Sequence, residues 1–161
     1  MKDQIYLNMV KEYSQFSKCQ FTRVGCIAVN ENGRIVATGV NGTIPGLENC
    51  CEHHFESRED HIKFTRDNEI HAETNMILEL AVSSISFSNL SIYTTISPCH
   101  ECLKLLLGLT RNKGSNKITI DKIVYNEKYH RLSDDDMKKM KEKALKVGTK
   151  LVSIEELKDE L

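Results

Sequence analysis

Two short pieces of this 161-residue chain carry residue types suited to metal chemistry: His71-Ala72-Glu73, and then Pro98-Cys99-His100-Glu101-Cys102. The C-x-x-C spacing lets both thiolates face one metal, and a helix N-terminus lowers thiol pKa toward the ligating form. His71, Cys99 and Cys102 make a three-ligand zinc set. Such a set leaves the fourth tetrahedral position for water, the mark of a catalytic rather than a structural site. Glu73 lies two residues from His71, and residues so spaced do not share a helix face. It is therefore expected not to ligate, but to reach around the first turn. There it takes a proton from a water whose pKa zinc brings to about 7. His100, between the two cysteines, is expected to point away from the metal and has no role.

Several elements must hold these pieces in place. Ile5, Met9, Tyr13 and Phe16 fall at helical spacing, which predicts an amphipathic helix over 3–17. The run RVGCIAVNENGRIVATGVNG reads as two apolar strands joined by a turn at Asn32-Gly33. A helix is expected over 70–82 and a strand over 90–96, each ahead of a chemical motif or running into one. Pro98 stands where a helix likes proline, and ECLKLLLGL continues as that helix. DKIVYN is a further strand. Ser133 with Asp134, Asp135 and Asp136 starts a helix that Gly148 ends, and TKLVSI is a last strand. The predicted class is α/β, a five-stranded mixed sheet covered by helices.

The composition bounds the function. Residues 1–161 suit a single domain, with 40% hydrophobic and 28% charged residues. A net charge of −1 argues against a broad polyanion-binding surface, so no nucleic-acid partner is expected. No apolar tract reaches the roughly 18 residues that a membrane span needs. The start, MKDQIYLNMVKEY, lacks the apolar core of a secretory signal, so the final Lys158-Asp159-Glu160-Leu161 is read as a chance match to a retention address. A cytoplasmic location follows as an expectation. In a reducing compartment the clustered cysteines among the six are metal ligands rather than disulfides, and Cys26, inside VGCIAV, is a small buried hydrophobe.

One further stretch attracts a metal reading. LENCCEHHFESREDH, residues 47–61, lies within a segment, 43–69, that has few aliphatics and no sustained periodicity. So long a connection is expected to be functional or an insertion. Metal ligands can replace a missing core there; the alternative is a solvated polar loop.

The H-x-E and P-C-x-x-C pieces match the signature of zinc nucleobase deaminases. The wider sequence resembles one family among them, the deoxycytidylate (dCMP) deaminases, especially the phage type. The matching pieces are SKC (17–19), RVG (23–25), GRIVATGVNGT (33–43), NCC (49–51), NEIHAE (68–73), TTISPCHEC (94–102) and IVYNEKYH (123–130), in family order over nearly the whole chain. The resemblance implies the three-layer cytidine-deaminase-like fold. It also implies hydrolysis of dCMP to dUMP with release of ammonia, supplying thymidylate synthesis. Zinc-activated water is then the nucleophile and Glu73 the proton shuttle.

By the same resemblance Asn41 and Thr43 lie beside the nucleotide, with Asn41 on the sugar or phosphate. Arg23 reaches the phosphate, Ser97 and Pro98 flank the base, and Tyr129 closes over the substrate. A second, structural zinc would be held by Cys19, Cys50, His61 and Glu69, leaving Cys51, His53 and His54 as bystanders, or as alternative ligands if the register slips by one. Family members are commonly hexameric, regulated ones respond to dCTP and dTTP, and a phage-encoded member works in the host cytoplasm. Two departures stand out. Val40 replaces the tyrosine of the family's GYNG, which helps form the effector site, and GLTRNKGSNKITIDK is longer than the family's link, so a loop of about eight extra residues is expected to project there. The rival readings are a deaminase of the same fold acting on cytidine, deoxycytidine or tRNA adenosine, and a non-catalytic zinc module.

Overall fold

The computed structural model describes residues 1–83, 85–110, 112–113 and 116–160. Helix α1 (Lys2–Tyr13) and a 3-10 turn (Ser14–Phe16) precede a hairpin of β1 (Gly25–Val29) and β2 (Ile35–Val40). Gly33 turns that hairpin at φ +76°, a left-handed conformation open to glycine at no steric cost. A two-rung ladder of β3 (Gly42–Thr43) and β4 (Glu69–Ile70) brackets helix α2 (Arg58–Asn68). Then follow α3 (Ala72–Val82), β5 (Phe87–Ile96), α4 (His100–Leu109), β6 (Asn112–Lys113) and β7 (Asn116–Glu127). The described chain ends with α5 (Asp134–Lys146), β8 (Lys150–Ser153) and α6 (Ile154–Asp159).

The expected mixed sheet runs in the order β2-β1-β5-β7-β8, with the short β6 added beside the start of β7. β1 is antiparallel to β2 and β5, whereas β5, β7 and β8 are parallel. Parallel neighbours need crossover helices, and α4 and α5 supply them. β1 is buried on both faces, so VGCIAV reads as a continuous apolar run. Cys26 and Ala28 face α3, α4 and α5, packing with Met76, Leu80, Leu103, Leu106 and Met140. Ile27 and Val29 face α1 and α6, with Tyr6, Leu7, Val10 and Ile154. Cys26 is thus the buried hydrophobe its neighbours suggested.

The structure departs from the sequence reading at several places. Segment 43–69 contains a true helix, α2, whose REDHIKFTRDN sequence buries only His61 and so shows no apolar stripe. Its start was written in capping chemistry instead: the Ser57 side chain accepts from the Asp60 N–H, and Glu59 and Asp60 favour the helix N-terminus. α3 begins at Ala72, because Ile70 is taken by β4. α6 was not expected; Ser153 and Glu156 form its capping box, and Lys158 and Asp159 of the last four residues lie in it. The projecting loop is, in its described part, the β6–β7 hairpin, while residues 111, 114 and 115 lie outside the described residues. Among the described residues no helix is long and apolar enough to cross a membrane.

One polar network ties α1 to the sheet. The Tyr93 hydroxyl donates to Asp3 Oδ1 at 2.6 Å, and Lys122 pairs with the same carboxylate. Burial would raise the Asp3 pKa, yet the hydrogen bonds from Lys122 and Tyr93 win and hold it below the usual carboxylate range. Asp3→Ala leaves both donors without this acceptor. It should lower the unfolding free energy by about 1–3 kcal/mol in urea titration.

Candidate active site and metal centres

Both chemical motifs sit at helix starts, and the topology brings those starts together. His71 is the extended N-cap of α3, just after the β3–β4 ladder. Cys99 is the N-cap of α4, where the chain leaves β5 through Ser97 and the buried Pro98. The Cys99 sulfur accepts from the Cys102 N–H at 3.5 Å. His71 Nδ1 lies 3.7 Å from Cys99 Sγ and 3.3 Å from Cys102 Sγ. All three ligand atoms fall within 4.8 Å of one another, with the positive ends of two helices aimed at them. His100 is exposed and lies 3.7 Å from Asp136, apart from this group.

The electrostatics fit a soft divalent metal. Cys99 is lowered to about 3, first by its hydrogen bond with the Cys102 thiol and also by His71, against the cost of burial. Cys102 is pushed up by that same bond and by burial, so the pair shares one proton. His71 is raised, chiefly by its hydrogen bond to Cys99. The direction of the Cys99 shift favours the thiolate, the form that ligates a metal, and metal ligation requires both thiols deprotonated. A two-sulfur, one-nitrogen set suits zinc.

Glu73 lies in the first turn of α3 and is 5% exposed. Burial raises its carboxyl to about 7, although its own backbone N–H and the nearby His71 act to lower it. At that value the group is present both as acid and as base near neutral pH, which proton transfer requires.

A second cluster lies nearby. Cys19, Cys50 and His61, all buried, bring their ligand atoms within 4.8 Å of one another. Cys19 Sγ is 3.6 Å from His61 Nε2, and Cys50 Sγ accepts from the Gln20 N–H at 3.3 Å. Glu69, on β4, has its Oε1 buried without a hydrogen-bond partner, and burial raises its pKa. Burial likewise raises Cys50 to about 11 and lowers His61. An orphaned carboxylate oxygen beside two thiols and an imidazole is a donor set that a metal satisfies. Cys51, His53 and His54 are exposed, and His53 is engaged by Glu48 at 3.1 Å.

One cavity of about 460 Å³ touches both clusters, its walls including Cys19, His61, Glu69, His71, Glu73 and Cys99. Of the expected substrate contacts, Asn41, Ser97 and Tyr129 line it. Arg23, Thr43 and Pro98 are not among its walls. Arg23 instead donates to Gln15 at 3.2 Å, and the Thr43 hydroxyl is buried without a partner. Sequence reasoning missed Arg58, Thr65 and Arg66 of α2, and His130 and Arg131 beyond Tyr129, all of which line the cavity. The cap of α2 was the one signal for the first three.

The raised carboxyl of Glu73 has a cost in the metal-free protein. The native state holds its proton up to about pH 7, whereas the unfolded chain releases it near 4.5. The unfolded state then binds fewer protons, so this contribution is fully present below pH 4.5 and is lost as pH rises to about 7. Glu73→Gln should therefore raise the Tm of the chelator-treated protein at pH 8, by the equivalent of up to about 3 kcal/mol, and barely at pH 4.5. Thermal scans at the two pH values check this.

Residues 1–113 match the family model described as the cytidine and deoxycytidylate deaminase zinc-binding region. The deoxycytidylate deaminase of Enterobacteria phage T4 is 30% identical over 163 residues, covering 80% of this chain and 79% of its own. That of phage T2 is 29% identical over 80% of this chain and 81% of its own. Among solved structures, the dCMP deaminase of cyanophage S-TIM5 in complex with dCMP and dUMP aligns at TM-score 0.70 and 28% identity. That alignment covers 94% of this chain and 95% of the cyanophage chain. Two expectations drawn from the motifs, the fold and the zinc-binding family, are thereby met: the chain belongs to the cytidine and deoxycytidylate deaminase family.

Proposed function

We propose that this chain hydrolyses dCMP to dUMP and ammonia, supplying dUMP for thymidylate synthesis. The observation that carries the reading is one cavity in which Glu73, poised near neutrality, adjoins His71 and Cys99, with arginines in the same walls. The likeness to phage deoxycytidylate deaminases, and to a cyanophage enzyme complexed with dCMP and dUMP, supports that substrate.

His71, Cys99 and Cys102 would hold zinc, which when bound supplies a Lewis acid that lowers the pKa of water to about 7. Glu73 accepts the proton of the attacking water and delivers it to N3 of the cytosine ring. It then carries the second proton to the amine leaving C4, and ends ready for another cycle. Asn41 offers a fixed seat for the deoxyribose. Its Oδ1 accepts from the Val24 N–H and the Ser17 hydroxyl, each at 2.8 Å, and its Nδ2 donates to Thr22 O at 2.9 Å. One amide N–H is left over for the ligand. The Tyr129 N–H donates to Ser97 Oγ at 2.9 Å, which joins the aromatic wall to the strand end beside the base. For the phosphate, Arg66 is engaged by Asp67 and Arg58 by His61, each at 2.9 Å, which favours Arg131, in the cavity wall, over the expected Arg23, which is not.

The second cluster belongs to the same reading as a structural zinc site, with Glu69 completing Cys19, Cys50 and His61. Four protein ligands would close it to water. The six cysteines are not paired in disulfides, in keeping with work in a reducing cytoplasm. Assembly with further copies is supported by Leu78 and Val82 on α3 and Leu105 on α4, all exposed.

Purified protein supplied with dCMP, CMP, deoxycytidine and adenosine-bearing RNA should release ammonia fastest from dCMP. Turnover of deoxycytidine with none of dCMP would refute the reading. In the same assay Glu73→Ala should retain zinc yet lose at least about 10²-fold in kcat. Arg131→Ala should raise KM for dCMP without slowing deoxycytidine.

Metal analysis should find two zinc ions per chain, and one in Cys50→Ser, with a lowered Tm. One ion in both proteins would remove the second site.

A further inference from the structure

Among the described residues, strand β2 is an edge of the sheet, paired on one side only, with β1. Along its free side, the N–H of Thr38 and the C=O of Val40 point away from β1 and need partners. Both partners come from α3. Thr38 N–H donates to Glu79 Oε2 at 2.7 Å, and Asn75 Nδ2 donates to Val40 O at 2.8 Å. Asn75 and Glu79 are four residues apart, hence neighbours on one helix face. Between the two bonds stands Gly39, and here the helix touches the strand backbone. A Cβ on Gly39 would lie 2.2 Å from Ala72 O, 2.6 Å from Met76 N and 3.1 Å from Met76 Cβ. Two of those atoms are helix backbone that no side-chain rotation can clear.

Ala72 is the residue between His71 and Glu73, so the point of closest approach is the turn that carries the chemistry. From these contacts we infer that Gly39, Asn75 and Glu79 are positioning residues for Glu73. The free edge of β2 fixes how far α3 slides and how it is rotated, and so where the proton-carrying carboxyl stands. The same strand runs directly into Asn41, which lines the cavity. One edge strand thereby sets the distance between the seat of the nucleotide and the acid that serves it. Relieving a 2.2 Å contact requires a shift of about 1 Å. A misplacement of that size can cost about 10²-fold in rate without touching the substrate.

The inference rests on Glu73 as the proton shuttle of the proposed reaction, and the experiment separates the two. Gly39→Ala should lower kcat for dCMP about 10- to 100-fold, with KM within about twofold and zinc content unchanged. Its affinity for the pyrimidin-2-one deoxyribonucleotide, which an intact site hydrates into a transition-state mimic, should fall by the same factor as kcat. Should Gly39→Ala not fold, the Glu79 pair decides: Glu79→Ala should lose several-fold in kcat, and Glu79→Gln, which keeps an oxygen for the Thr38 N–H, should recover it. A lowered Tm with unchanged kcat and analogue affinity in whichever of these variants folds would overturn the positioning role. Wild-type activity in Glu73→Ala would instead overturn the proposed function itself.

Discussion

Two helix N-termini held face to face are what the rest of this molecule depends on. The donor atoms of His71, Cys99 and Cys102 lie within 4.8 Å of one another, yet they come from the starts of two helices separated by a strand. The parallel pairing of β5 and β7 fixes one side, because the crossover must start α4 where β5 ends. The docking of α3 on the β1–β2 hairpin fixes the other, through Gly39 and the bonds at Thr38 and Val40. Both ladders and both helix starts therefore converge on one point, where the Cys102 thiol and N–H and the His71 ring all act to lower the pKa of Cys99.

The second cluster lines the same cavity through Cys19 and His61. α2 buries a single residue, His61, so apolar packing alone gives it little purchase on the body of the protein. Instead it is fixed at its ends, by its Ser57 cap and by the β3–β4 ladder, and at its middle by His61 against Cys19. Arg58 adds a contact of its own, lying over the Phe21 ring at 4.5 Å with Nη1 2.9 Å from His61 Nδ1. Whatever orders Cys19, Cys50 and His61 thus also orders the cationic wall of the cavity. Glu69 joins the two sites most directly, since His71 follows it by only two residues.

Much of the scaffold was legible because its signals are local. The continuous apolar run of β1, the Asn32-Gly33 turn and the Ser133 cap with its three aspartates each report a conformation that neighbouring residues alone enforce. The same holds for the donor set, since H-x-E and C-x-x-C fix chemistry by spacing. α2 and α6 were lost for the opposite reason. Their sequences carry charge where a periodicity reading looks for aliphatics, and only their capping residues gave them away. Arg23 shows a different limit: its charge was visible, but its direction was not, and it reaches Gln15 instead of the cavity.

By itself, then, the sequence determined the reactive groups and their order: one imidazole, two thiols and one unliganded carboxylate, on segments bound to start helices. Residue type and spacing settle such things, because they act over one or two turns of chain. Tertiary structure alone decided that Glu73 is buried enough to reach a pKa of about 7, and that Cys50 rather than Cys51 faces Cys19 and His61. It also decided that Arg58 and Arg131, far apart in the chain, share a cavity with His71 and Cys99. These outcomes depend on desolvation and on distances between segments remote in sequence, which exist only after the sheet has paired and the helices have docked.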